Sequence, residues 1–191
     1  EELLADPYEG KEISLLAEET IGGEGNQAGQ FLMPRDIAVA PDGSLYVADT
    51  NNHRIQHLSP EGKVLHIWGY FANAAESEAP AGSFYEPWGI AVGPDGDVYA
   101  TDTWNHRVQK FTAEGEFITQ WGYFGQGETG TAFWGPRDII IDQQERVYIT
   151  DTGNKRVAVF GSQGQFLTAF GTPGLLEGQF DEPVGLAIDS Q

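Results

Sequence analysis

The chain has 191 residues, and its 29 acidic and 10 basic side chains give a formal net charge of −19. It contains no cysteine, which excludes a disulfide framework, a thiol nucleophile and a zinc–thiolate site. No apolar run approaches the roughly 20 residues of a membrane helix, so we expect no direct membrane insertion. Phosphate binding depends on clustered positive charge, so the acidic balance also argues against nucleic acid as a partner.

Three segments of the chain repeat one another. They begin at Phe31, Phe84 and Phe133, and a shorter fourth copy begins at Phe180. A proline follows each start by three residues, and the full copies share tyrosine, aspartate and arginine at equal offsets. A period of about 50 residues indicates a fold built from repeated supersecondary units.

Each full copy predicts four short strands. The first is a continuous apolar run such as Ile37–Ala40, typical of a strand buried on both faces. In two copies a Pro-Asp-Gly turn leads to a second strand, Leu45–Ala48 in the first copy. An Asp-Thr-x-Asn turn then precedes a third strand at Arg54–Leu58 and a fourth at Val64–Trp68. This arrangement predicts an all-β fold, a β-propeller of four-stranded antiparallel blades.

The repeated pattern P-x-G-I-A-V-x-P-D-G-x-x-Y-V-x-D-T-x-N-H-R-I-Q resembles the NHL-repeat family of β-propellers. The resemblance covers about residues 31–189. It predicts three full blades, at about residues 31–69, 84–122 and 133–171.

The two ends of the chain are predicted to hold parts of further blades. Residues 13–22 are expected to form an outer strand, residues 180–189 the first strand of a following blade, and residues 1–12 a linker-like segment. Propellers close with about four to eight blades, so we expect an incomplete ring from a larger protein. Open blades expose strand edges, which also predicts self-association or strand exchange between copies.

Two long inserts and the Asp-Thr-x-Asn turns are predicted to lie at one end of the blades, because strand direction alternates. The inserts are Tyr70–Ser83 and Tyr123–Ala132, and long loops on a compact scaffold commonly carry function. The same end gathers aromatic residues suited to stacking on sugars or gripping peptides. These are Tyr70, Phe71, Trp104, Tyr123, Phe124 and Trp134. The alternative is that these rings pack between blades and cover the loop bases.

The residue after each repeat proline is predicted to face the mouth of the central channel. The four residues are Arg35, Trp88, Arg137 and Val184. Two arginines and a tryptophan could hold an anionic or carboxylate-bearing ligand. The alternative is that the arginines pair with the neighbouring Asp36 and Asp138 or with acidic residues on the rim.

One aspartate and one arginine recur in every full blade. A catalytic group is needed once, whereas a residue needed in every blade is a structural part. We therefore predict that these residues form turn caps and ion pairs within or between blades. They are Asp49, Arg54, Asp102, Arg107, Asp151 and Arg156.

The sequence predicts no catalytic residue, metal or cofactor in this segment. His53 and His106 share a repeat position that is filled by Lys155, which cannot replace a metal-ligating imidazole at neutral pH. The inner strands are apolar and the glycines lie in turns, so no phosphate loop is present. Calcium at the acidic loops has no supporting ligand spacing.

We predict a non-catalytic propeller module that binds a protein, a peptide or a glycan through one loop face. Some NHL-repeat proteins bind RNA through a basic face, from which this acidic chain departs. In bacteria, repeats of this family also occur in extracytoplasmic sensor domains and in large membrane proteins, so the resemblance allows an extracytoplasmic or membrane-associated setting and favours the extracytoplasmic one. Two alternatives stay open: a metal-dependent hydrolase or lyase with its site in other blades, as in lactonases and peptide-amidating lyases, and a structural spacer.

Overall fold

The computed structural model describes residues 19–127 and 129–189. The chain forms three four-stranded antiparallel sheets, and in each one the strand order follows the chain. The first sheet contains β1 (Asp36–Val39), β2 (Leu45–Asp49), β3 (Arg54–Leu58) and β4 (Val64–Trp68). The second contains β5 (Pro87–Val92), β6 (Val98–Asp102), β7 (Arg107–Phe111) and β8 (Phe117–Trp121). A short parallel pair follows, β9 (Tyr123–Phe124) and β10 (Ala132–Phe133). The third sheet contains β11 (Pro136–Ile141), β12 (Val147–Asp151), β13 (Arg156–Phe160) and β14 (Phe166–Phe170), and a second parallel pair joins β15 (Thr172–Pro173) to β16 (Gln179–Phe180).

The all-β architecture of four-stranded antiparallel blades predicted from the sequence is confirmed. The Asp-Thr-x-Asn segments form short 3₁₀ turns at Thr50–Asn52, Thr103–Asn105 and Thr152–Asn154. The residue after each turn adopts a left-handed conformation, with φ between 53° and 55°. This conformation reverses the chain tightly between the second and third strands of each blade.

Each loop that enters a sheet is closed at its base by a parallel pairing, which the sequence analysis did not predict. Bridges join Glu24 to Phe31 and Phe71 to Phe84, and the pairs β9/β10 and β15/β16 occupy the equivalent places. The repeat phenylalanine thus belongs to the loop closure. Phe84 and Phe133 are also fully buried, so they anchor the inserts to the core.

The core lies between neighbouring sheets. One buried cluster joins the first and second sheets around Tyr46, Ile55 and Phe111, and another joins the second and third around Tyr99 and Phe160. Every residue of β6 and β7 is buried because the middle sheet is covered on both faces. The three sheets do not close, and Ile37 and Val39 of the edge strand β1 are exposed, so the prediction that this strand is buried on both faces is wrong: no neighbouring sheet in the described part of the chain covers its outer face. The structure is therefore an incomplete ring, as expected.

Threonine hydroxyls connect each sheet to the next element along the ring. Oγ1 of Thr50 donates to the carbonyl of Pro87 at 2.7 Å, and Thr103 makes the same bond to Pro136 at 2.8 Å. Residue 152 repeats the contact with the carbonyl of residue 183 at 2.7 Å. The segment after β16 is thus held as the inner strands of the other sheets are.

The expected partial blades at the chain ends are only partly described. Residues 1–12 and 13–18 lie outside the described residues, and residues 19–22 form no strand. Residues 181–189 form no strand either, because a strand needs a paired neighbour and no described strand pairs with them. Within the described residues, no helix has both the length and the apolar character needed to cross a membrane.

Candidate functional site

An ion pair joins the second and third strands of every blade at the end that carries the inserts. The arginine Nε lies 2.7, 2.7 and 2.8 Å from the carboxylate in the three blades. The pairs are Asp49–Arg54, Asp102–Arg107 and Asp151–Arg156. All three carboxylates are buried, and each also accepts the backbone N–H of a residue 17 positions earlier and the side-chain amide of the turn asparagine.

The same arginines hold the loop that precedes each blade. Nη atoms of Arg107 donate to the carbonyl oxygens of Ala79, Pro80 and Ser83 at 2.7, 3.1 and 2.9 Å. Arg54 and Arg156 each donate to three loop carbonyls in the same manner. We call each Asp–Arg pair with its loop carbonyls a loop clamp, which is the geometry of a scaffold part.

The middle loop clamp places a carboxylate where little solvent reaches it. Burial raises the pKa of Asp102 above its ordinary value, whereas the positive charge of Arg107 and the donors from Tyr85 and Asn105 act in the opposite direction. The charged form of Asp102 therefore depends on its counter-ion and its hydrogen-bond donors.

The residues predicted at the channel mouth come together in the structure. Cζ of Arg35 lies 4.2 Å from the ring centroid of Trp88, and Cζ of Arg137 lies 4.5 Å from it. The two arginines come from the blades on either side of the one that carries Trp88. With Val184 they line a cavity of about 250 Å³, as do Asp36 and Asp138. Cation–π contacts of this kind hold planar groups in a stack.

The ion pairs considered as an alternative for the channel-mouth arginines are not formed with any described residue. All four carboxylate oxygens of Asp36 and Asp138 instead accept backbone N–H groups, those of Ile37, Ile90, Ile139 and Leu186. Two of these bonds reach the next element along the ring. The aspartates therefore join neighbouring blades. No described residue accepts a hydrogen bond from the guanidinium groups beside them.

The aromatic residues predicted on the loop face remain largely exposed. Tyr70, Phe71, Tyr123 and Phe124 are each more than half exposed. Trp104 is less exposed, and its Nε1 donates to Oε2 of Glu86 at 2.9 Å, a bond that the sequence analysis missed.

The aromatic residues divide between two neighbouring depressions. Trp104, Tyr123 and Phe124 line a groove of about 590 Å³ beside the first insert. Trp104, Trp134 and Arg137 line a second one of about 270 Å³. Arg137 also lines the channel-mouth cavity, so the second groove and that cavity share a wall.

Two of the exposed rings also contact histidine rings at the bases of the loops. Phe71 lies 4.9 Å from the His53 ring, and Phe124 lies 4.8 Å from the His106 ring. Nδ1 of each histidine accepts a backbone N–H at 3.1 Å, and burial lowers the pKa of both imidazoles. These histidines join neighbouring blades. In the described parts of the chain, no three histidine, cysteine or acidic side chains are grouped so that they could hold a metal ion.

Comparison with known proteins identifies the repeats. The NHL repeat profile matches residues 31–58, 84–111 and 133–160. Fold and repeats together define a segment of a β-propeller. The chain contains three NHL repeats.

The chain is similar to enzymes and to an NHL repeat-containing protein over part of their length. It is 31% identical over 97 residues to mouse peptidyl-glycine alpha-amidating monooxygenase, covering 48% of this chain and 10% of that protein. It is 32% identical over 91 residues to chicken NHL repeat-containing protein 2, covering 47% and 12%. An inactive variant of virginiamycin B lyase from Staphylococcus aureus, solved with quinupristin, shares the fold with a TM-score of 0.56 at 18% identity, covering 81% of this chain and 45% of that one. The chain therefore spans about a tenth of the curated relatives and under half of this structural neighbour.

Proposed function

We propose that this chain is the binding segment of an NHL-repeat propeller and that it engages a protein, a peptide or a glycan without catalysing a reaction. The observation that carries the proposal is the set of exposed aromatic rings around the two grooves of the loop face. Large rings with low conformational entropy are the residues that dominate binding surfaces.

The scaffold beneath the loop face supports this proposal. The loop clamps fix both inserts to buried ion pairs, so Tyr123 and Phe124 lie on a rigid support. A preorganised surface loses less entropy on binding than a mobile one. The same Asp–Arg pair occurs in each of the three blades, as expected for residues that support the structure.

An array experiment tests the proposal. Glycan and peptide arrays are probed with the parent chain, with Tyr123→Ala and with Phe117→Ala. Phe117 is a matched control, because it is similarly exposed but begins β8 at the opposite end of the blade. We expect Tyr123→Ala to weaken the strongest hit by about tenfold or more and Phe117→Ala to leave it unchanged. Equal binding by all three proteins would contradict the proposal.

The similarity to an amidating monooxygenase favours a second candidate, a segment of a propeller enzyme whose site lies in other blades. Metal analysis of a purified protein that includes those other blades separates the two candidates. A stoichiometric transition metal that is retained through purification would favour the enzyme.

A further inference from the structure

Arg35 and Arg137 are the two arginines that have no acidic partner among the described residues. The other four arginines each lie within 2.8 Å of a carboxylate oxygen. Acidic side chains outnumber basic ones in this chain by 29 to 10, so a shortage of acidic residues does not explain why these two arginines lack a partner. Position in the fold keeps these two guanidinium groups unpaired.

The cavity at the channel mouth holds side-chain N–H donors that no described residue accepts, because the carboxylates of Asp36 and Asp138, which also line it, accept backbone N–H groups. Cζ of each guanidinium lies over the Trp88 ring, and the N–H donors lie in the plane of the guanidinium. Nε1 of Trp88 is itself buried and has no hydrogen-bond partner. A buried donor without an acceptor destabilises the protein, and an accepting ligand would remove that penalty.

We propose that this cavity binds the carboxylate group of a peptide ligand, with Arg35 and Arg137 as the charged donors and Trp88 between them. The inference rests on the proposed function, since the same ligand would contact the loop face. Guanidinium N–H pairs match the planar geometry of a carboxylate.

Charge decides between a carboxylate and other anions. A protein of net charge −19 repels a dianionic phosphate or a polyanion more strongly than a single carboxylate on a neutral body. Arg137 lines both the channel-mouth cavity and the neighbouring groove, so one peptide can occupy both. A carboxylate on a flexible chain can reach the cavity while the rest of the chain packs on Trp104 and Trp134.

The test uses two small probes of nearly equal shape, benzoate and its neutral counterpart benzamide. Each is titrated into the ¹⁵N-labelled chain, and the indole N–H signal of Trp88 is followed after its assignment with Trp88→Phe. We expect benzoate to move the signal to saturation and benzamide to leave it in place. An equal response to benzamide, or none to benzoate up to its solubility limit, overturns the inference.

Arginine variants show whether the predicted donors are responsible. Arg35→Gln and Arg137→Gln should each weaken benzoate binding by about tenfold or more. Arg146→Gln is the matched control, because Arg146 is already paired with Asp142 away from the cavity, and it should have no effect. Unchanged binding in both channel-mouth variants overturns the assignment.

Further probes distinguish the sources of the carboxylate. Acetyl-glycylglycine carries a C-terminal carboxylate, and acetyl-glutamate amide carries one on its side chain. A response to at least one of them supports a peptide ligand. A response to glucuronate with none to either peptide probe overturns the assignment of a peptide ligand. Inorganic phosphate that saturates the signal at a lower concentration than benzoate overturns the assignment of a carboxylate group. Failure of these titrations while the array hit still depends on Tyr123 removes this inference alone.

Discussion

Replacing Arg107 with alanine removes the middle loop clamp and leaves a buried carboxylate without its counter-ion. The side chain of Arg107 is 7% exposed, and its Nε lies 2.7 Å from Oδ2 of Asp102, which is fully buried. The variant also frees the three carbonyl oxygens of the first insert that the guanidinium binds. We therefore expect a loss of stability in a protein that keeps its fold.

The expected magnitude follows from the burial of the pair. Breaking a buried ion pair from one side costs about 3–5 kcal/mol. In a domain of this size 1 kcal/mol lowers the melting temperature by about 2–4 °C, so Arg107→Ala should melt roughly 6–20 °C below the parent. Arg146→Ala is the matched control, because the side chain of Arg146 is 49% exposed, solvent screens its ion pair, and Asp142 keeps backbone and tyrosine donors, so this variant should melt close to the parent.

Thermal unfolding followed by circular dichroism measures both variants. A third variant, Arg107→Ala with Asp102→Asn, should recover part of the loss because no uncompensated charge is left in the interior. If Arg107→Ala melts with the parent, the structural role assigned to the loop clamp is wrong.

The remaining predictions concern a glycine and a buried histidine. Gly122→Ala should destabilise the protein by about 2–5 kcal/mol in denaturant unfolding, because φ is +104° and the added Cβ would lie 2.5 Å from the ring of Phe133. Gly82→Ala, at φ +80° with no atom within 4 Å, should cost only about 1 kcal/mol, and equal losses would contradict the packing argument. Burial lowers the pKa of His57, so the unfolded chain binds the proton first and stability falls as pH drops below about 6.5. His57→Phe, which keeps a ring stacked on Tyr46, should reduce that fall between about pH 7 and 5 without abolishing it, because burial also lowers the pKa of His53 and His106, and an unchanged slope would contradict the argument.

The strands could be predicted from the sequence because their signals are local. Apolar runs and turn residues within one repeat decide where a strand begins and ends, and three copies supply the same information independently. The positions of Arg35, Trp88 and Arg137 relative to one another followed from the repeat period, because equal offsets lead to equal places around a ring.

The partners of these residues could not be predicted, because they depend on how blades dock. Asp36 lies beside Arg35 in the chain, yet its Oδ2 accepts the N–H of Ile90 in the next sheet. The bond between Trp104 and Glu86 likewise joins residues brought together by loop closure. Contacts between segments about 50 residues apart depend on sheet twist and docking angle, which a one-dimensional pattern does not contain.

The loop clamp allows the sequence of an insert to vary while its base stays in place. Its arginine recognises main-chain carbonyl oxygens, which every amino acid supplies, and makes few demands on the side chains of the insert. An insert can therefore be exchanged for another sequence, or lengthened, while its base stays fastened to the same buried pair. The loops that precede the three blades can therefore be exchanged for other sequences. Such an exchange changes what the loop face binds and requires no change in the core.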